Sequence, residues 1–318
     1  MASTLTGIAR PDGGEPASAP RNAGARTASE QRSRVLAVFA FPSLIWYVLF
    51  TIGPLVAMFV IAFLSWGRIF ETPEFAGLAN FTKLIGDERV LTAAQNTAVH
   101  LAGTLPFHTV GSFMIGYFLS LKPPGHRIFR VVLFIPALIS LAQLGTIFTL
   151  VLGPAGLVNS LLDAVGLGQH QTAWFADSRT AMPALILVSI WTGMGFNAVL
   201  FAARLGSIDP DVYAAAELDG ANQWQRMWRV AFPISIDYFG VITMLQFLWT
   251  LFGTAGLILI LTKGGPGQAT STLSWLVYRF AFYDTASLVG YSQAIGILLF
   301  ALGVVGLVII RRVFRQRY

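Results

Sequence analysis

Apolar residues in this chain fall into six long runs, about Val35–Trp66, Ala98–Leu121, Val131–Leu152, Ala181–Leu205, Ile234–Leu261 and Ala286–Ile310. Shorter polar stretches separate them. A helix needs about 20 apolar residues to cross about 30 Å of hydrocarbon, and each run reaches that length. None shows the short alternation of a barrel strand. The pattern therefore predicts an all-α integral membrane protein with six transmembrane helices. Residues 1–33 are rich in Ala, Gly, Pro, Ser, Arg and Thr and poor in large apolar side chains, which predicts a disordered tail. Residues 34–318 read as one membrane domain. The first run is about twice the length of a signal-peptide core and lacks a small-residue cleavage site, so it reads as an anchor.

Composition sharpens this picture. Of the 318 residues, 55% are hydrophobic and only 11% charged. Soluble domains carry about a quarter charged residues, so this chain belongs in lipid. With an even number of spans both termini share one side, together with Arg10, Arg21, Arg26, Arg32 and Arg34, then Lys122, Arg127 and Arg130. The same side holds Arg204, Arg226, Arg229, Arg311, Arg312, Arg315 and Arg317, which brings it to 15 of the 21 Lys and Arg. Basic loops stay inside, so the termini and the 206–233 loop are expected in the cytoplasm. The net charge of +6 sits in patches at span ends, where lipid headgroups account for it without a nucleic-acid partner. Zero cysteines exclude disulfides and thiolate chemistry.

One polar loop is unlike the others. Asp211-Val-Tyr-Ala-Ala-Ala-Glu-Leu-Asp-Gly220 reads as a helix that Pro210 can open and Gly220 can close in a left-handed cap. Asn222 can then cap a second short helix through Gln223–Arg229, before Phe232-Pro233 starts the next apolar run. Helix, glycine elbow, helix makes a stiff joint. The bland alternative is an ordinary amphipathic loop.

The spacing Ala214-Ala215-Ala216, Gly220, Val230, Phe232-Pro233 resembles the EAA loop of binding-protein-dependent ABC importer permeases. Ile208–Tyr213, Asp219–Ala221, the Phe75–Phe81 and Gly153–Asn159 segments, and the Gly264-Gly-Pro266 turn look like the carbohydrate-uptake branch, which includes maltose and sn-glycerol-3-phosphate type permeases. The likeness covers roughly residues 35–317. Membership implies a type I ABC importer permease fold, a second homologous permease, two ATPase subunits and an extracytoplasmic solute-binding protein. It also implies a bacterial cytoplasmic membrane location and a loop that forms the coupling helix docking on the ATPase. Ala214, Ala215, Ala216, Glu217, Asp219, Gly220 and Pro233 are the expected coupling residues. Where the family pattern begins with glutamate this chain has Ala214; Glu217, three residues on and close to the same helix face, is the candidate substitute.

Catalytic machinery is not evident. No phosphate-binding G-x-x-x-x-G-K-[ST] loop exists, so ATP and magnesium are expected on the separate ATPase, with no cofactor in this chain. His100, His108, His126 and His170 are scattered without metal-ligand spacing, and packing roles are expected for the first two. Spans hold almost no charges. Asp237 lies one turn past Pro233 and reads as interfacial, which weighs against an ion-coupled secondary carrier. A membrane-embedded enzyme would need acidic residues or histidines clustered at one interface. An uncharged solute would be read by neutral polar and aromatic groups, for which Gln246, Trp249, Thr250, Gly253, Thr254 and Asn197 are the candidates, with Trp191 and Thr192 beside them. The competing account is that these residues hold helices together. A permease for a non-carbohydrate solute is the nearer alternative.

Overall fold

The computed structural model describes residues 41–67, 71–284 and 288–314. The proposed tail, Arg315, Arg317 and the start of the first run lie outside them. Contacts divide the chain into two units, residues 1–56 and 57–318, with the boundary inside the first helix.

Helix α1, Phe41–Ile61, is apolar on every side and contains a π-helical turn, Val48–Ile52. A two-residue hairpin follows, β1 Leu64–Ser65 against β2 Glu74–Phe75, antiparallel with Leu64 opposite Phe75. It is the exception to an otherwise all-α description among the described residues. After α2, Ala79–Gly86, Asp87 caps the next helix by accepting from the Arg89 N–H. That helix, α3, runs from 88 to 120 as Glu88–Pro106, a π-helical turn Phe107–Gly111, and Ser112–Ser120. The helix that carries the second apolar run thus begins ten residues before the run does. Glu88, Arg89, Gln95 and Asn96 extend it as helix although they add no hydropathy, because helix formation needs no apolar side chains once a cap and tertiary packing are present.

The third run is not one straight rod. Helix α4, His126–Leu138, and helix α5, Leu141–Val151, meet at 102°. Pro136 lies in the last, 3₁₀ turn of α4. Ser140 then starts α5 with a capping box, its hydroxyl accepting from the Gln143 N–H while Gln143 reaches back to the Ser140 N–H. A helix end satisfied by side chains is a place where the chain can turn inside a membrane without orphaned backbone groups. Helix α6 is Leu157–Ala164, and α7, Ala181–Leu205, carries the fourth apolar run. The joint segment follows as α8, Pro210–Leu218, and α9, residues 223–234. Then come α10, Ile236–Leu261, α11, Leu273–Tyr278, and α12, Val289–Val313. Among the described residues four helices (α1, α7, α10 and α12) are long and apolar enough to cross a bilayer, or five if the bent pair is one span.

Small residues set the helix crossings. A Cβ at Gly195 of α7 would overlap the Leu133 carbonyl oxygen of α4, and one at Gly145 of α5 would overlap Ile260 of α10. At Gly116 a Cβ would stand 2.5 Å from the Phe201 Cβ and 2.8 Å from the Ala198 carbonyl oxygen. Close approach of this kind is how helices associate where lipid offers no hydrophobic drive. One apolar cluster joins Val90, Leu251, Leu273 and Ile295, and another joins Leu185, Leu257, Ile258 and Trp275. A third surrounds the joint.

Candidate functional site

The joint is built by local capping chemistry. Asp209 accepts from the Asp211 N–H at 3.0 Å, and Pro210 occupies the first turn of α8, where its missing N–H costs nothing. At the other end Gly220 has φ +81°. The Gly220 N–H donates to the Glu217 carbonyl and the Ala221 N–H to the Ala216 carbonyl, each at 3.0 Å, the paired bonds of a Schellman cap. Asn222 and Gln225 then form a capping box, each side-chain oxygen accepting from the other's N–H at 2.9 Å. Across the elbow the Arg226 guanidinium bonds the Glu217 carboxylate at 2.7 Å. Two helices and a glycine are therefore closed by five backbone or side-chain bonds and one ion pair.

The joint is also tied to the helices above it. Tyr117, at the end of α3, donates its hydroxyl to Gln223 Oε1 at 3.0 Å, and its ring lies 6.4 Å from that of Tyr213. Tyr117 thus touches both arms. One turn back, the fully buried Phe113 ring contacts Trp228 and Phe232 of α9, Phe201 of α7 and Phe239 of α10, at 5.5–5.8 Å. Trp224, Trp228 and Phe232, four residues apart, contact in succession along α9, and Phe232 meets Phe239 at 5.2 Å. The Tyr213 hydroxyl is buried without a partner, and burial pushes its pKa up to about 12. Tyr117, Phe113 and Gln223 were not legible as site residues from the loop motif. The spacing of four along 224, 228 and 232 was the available signal.

The expected coupling residues occupy distinct places on this frame. Ala214, Ala215, Asp219 and Gly220 are exposed, Ala216 is half-buried, and Glu217 spends its carboxylate on Arg226. Pro233 is exposed and follows a π-helical turn, Arg226–Ala231; the helix ends one residue later. The next long helix starts at Ile236, after Ser235 bonds back to the Ala231 carbonyl at 2.6 Å, rather than at Phe232-Pro233.

The proposed path residues divide between two faces of α10. Trp249 is 75% exposed and Gly253 lies beside its ring, 3.7 Å from where a Cβ would be. Thr250 and Thr254 are buried, and the Thr254 hydroxyl donates to the Thr250 carbonyl of its own helix. Gln246 Nε2 donates to Asn197 Oδ1 at 2.9 Å, and Asn197 Nδ2 donates to the His108 carbonyl at 3.3 Å. This chain of bonds ties α10 and α7 to the π-helical turn of α3. His108 and His100 both reach Ser189 of α7, through its carbonyl at 2.9 Å and its hydroxyl at 3.1 Å. Trp191 rests edge-on against Phe148 at 5.3 Å, and the Thr192 hydroxyl donates to the Ser189 carbonyl. Asp237 is exposed at the start of α10. Among the described residues no three His, Asp or Glu side chains come together to hold a metal.

Outside this region, the loop between α5 and α7 is organised by Asn159. Its amide donates to the Gly153, Pro154 and Thr172 carbonyls, and its Oδ1 accepts from Trp174 Nε1 at 2.9 Å. Gly153, Pro154 and Asn159 belong to the Gly153–Asn159 segment noted in the sequence. Gly264-Gly-Pro266 forms the expected turn, with Gly264 at φ +83°.

Residues 108–318 match the family described as binding-protein-dependent transport system inner membrane component. A probable ABC transporter permease protein, YurN of Bacillus subtilis, is 31% identical over 81% of this chain and 88% of its own length. The multiple sugar-binding transport system permease protein MsmF of Streptococcus mutans is 29% identical over 82% and 89%. Among solved structures, a bacterial alginate ABC transporter in complex with alginate pentasaccharide-bound periplasmic protein matches in fold. It has a TM-score of 0.76 and 21% identity, and covers 92% of this chain and 99% of the other.

Proposed function

Because the chain belongs to the binding-protein-dependent transport system inner membrane component family, the permeases of ABC transporters, we propose that it carries a sugar or related polyol compound across the bacterial cytoplasmic membrane. A sugar-transport permease among its relatives and a saccharide transporter among its fold neighbours support that substrate class. In this reading α3 supplies the sixth span beside α1, the bent α4–α5 pair, α7, α10 and α12. Both termini and the joint lie in the cytoplasm. A second permease, two ATPase subunits holding ATP and magnesium, and an extracytoplasmic binding protein complete the importer. The fold neighbour crystallised with its periplasmic protein is consistent with the last of these.

The observation that carries the proposal is the joint itself: an exposed, capped elbow bonded to α3 by Tyr117 and packed on α3, α7 and α10 through Phe113. Closure of the ATPases would move α8 and α9 together, and Phe113 would pass that motion to three spans at once. Solute would enter from the binding protein in one state and leave in the other. This requires that it interact differently with the two states. Gln246, Asn197, Trp249, Thr250, Gly253 and Thr254 remain the proposed path, with Trp249 the exposed member and the buried threonines and amides available when spans separate.

Reconstitution with the ATPase, second permease and binding protein in proteoliposomes tests this reading. Uptake of labelled sugar should require ATP inside the ATPase-accessible compartment and be indifferent to ion gradients. Uptake driven by a proton or sodium gradient without ATP would contradict it.

A further inference from the structure

We propose that the turn between α3 and α4, together with the outward stripe of α4, binds an anionic phospholipid. Helix α4 packs with one side only. A Cβ at Gly195 of α7 would overlap the Leu133 carbonyl, and the Phe134 ring lies 5.8 Å from that of Phe196. Ile128, Val131, Val132 and Ile135 fall at i, i+3, i+4 and i+7, hence together on the other side. All four are exposed, from 49% at Ile135 to 71% at Ile128. Helices that associate in lipid favour small residues at their contacts, as Gly195 shows within this chain. The stripe is wholly aliphatic and offers no such residue, so acyl chains fit it better than a further helix does.

A cationic end adjoins the stripe. Lys122, Arg127 and Arg130 lie within nine residues and are all exposed. No Asp or Glu occurs between Glu88 and Asp163, and none of the three cations forms an ion pair among the described residues. The turn that carries them is held by its own chemistry. Lys122 has φ +52° and Gly125 φ +79°, with Pro123 and Pro124 between them. The His126 N–H donates to the Pro123 carbonyl at 2.9 Å, and His126 Nδ1 lies 3.1 Å from the same oxygen. This turn follows the end of α3 whose Tyr117 bonds Gln223, so it lies at the joint's end of the bundle. A phosphodiester headgroup supplies the charge that the three cations lack, and its acyl chains supply the cover that the stripe lacks. Free phosphate would meet only the first need. The inference rests on the membrane reading of the chain and not on the solute carried.

The test uses the complex as extracted from native membranes in nonionic detergent, with the subunits that stay bound to it. Phosphatidylglycerol and phosphatidylcholine are titrated in parallel, and retained lipid is counted by native mass spectrometry. The wild type should retain phosphatidylglycerol preferentially. Lys122→Gln, Arg127→Gln and Arg130→Gln should each cut that preference by about fivefold, and added salt should weaken it. Ile135→Ser, which leaves the cations in place, should weaken retention of both lipids alike. Equal retention of the two lipids by the wild type, or an unchanged preference in the triple glutamine variant, would overturn the proposal. So would displacement of phosphatidylglycerol by inorganic phosphate, which would mark a free-anion site. Loss of a bound subunit from Ile135→Ser would assign the stripe to a protein contact instead.

Discussion

At Gly220 nothing stands within 4 Å of where a Cβ would lie, so a substitution there is felt through the backbone alone. A left-handed conformation costs an ordinary L-residue roughly 1–2 kcal/mol, and a β-branched residue more. Gly220→Val should therefore open the elbow and lower the sugar moved per ATP hydrolysed in proteoliposomes. Gly220→Asn should do so less, because asparagine tolerates this region. An unchanged ratio in the valine variant would mean that the elbow does not transmit force. A different residue, Asp87, makes an acid-sensitive contribution to stability. Hydrogen bonds from the Arg89 side chain hold the Asp87 carboxyl down to about 2, with the Tyr291 hydroxyl adding to the effect and burial opposing it. A depressed carboxylate stabilises fully above its unfolded value near 3.8 and loses that contribution as pH falls toward about 2. Melting temperature in detergent should drop across that window, and Asp87→Asn should flatten the drop. Parallel acid profiles for the two proteins would contradict the assignment.

Among the elements, legibility followed how local the deciding chemistry is. Pro210, Gly220 and Asn222 each act within four residues, so the arms of the joint could be read directly, and the structure places both helices there. The 102° bend between α4 and α5 has local cues too, in Pro136 and the Ser140–Gln143 box, but an uninterrupted apolar run hides them when hydropathy alone is followed. Contacts such as Tyr117–Gln223 and Gln246–Asn197 join residues 106 and 49 positions apart, and no periodicity announces such partners. The burial of Thr250 and Thr254 depends likewise on which face α10 turns to its neighbours. The Tyr117 bond offers an element-level prediction. Tyr117→Phe keeps the ring against Tyr213 and removes one hydrogen bond, worth about 1 kcal/mol. Assembly should survive, while stimulation of ATP hydrolysis by the loaded binding protein falls. Undiminished stimulation would assign Tyr117 to packing alone.

For the whole molecule, the account is one of divided labour. In the proposed reading the energy for transport enters through a contact with a separate ATPase, and the joint is the element that offers that contact. Its aromatic anchoring to α3, α7 and α10 gives that contact a route to the spans. The absence of cysteine from the chain makes the contact directly measurable, because one introduced cysteine is the only thiol present. Ala215→Cys, carrying a short photo-activated crosslinker in the assembled complex in native membranes, should yield an adduct with the ATP-hydrolysing subunit, and the yield should change when ATP is bound. Adducts with lipid or with this chain alone, and none with an ATPase, would contradict the central claim.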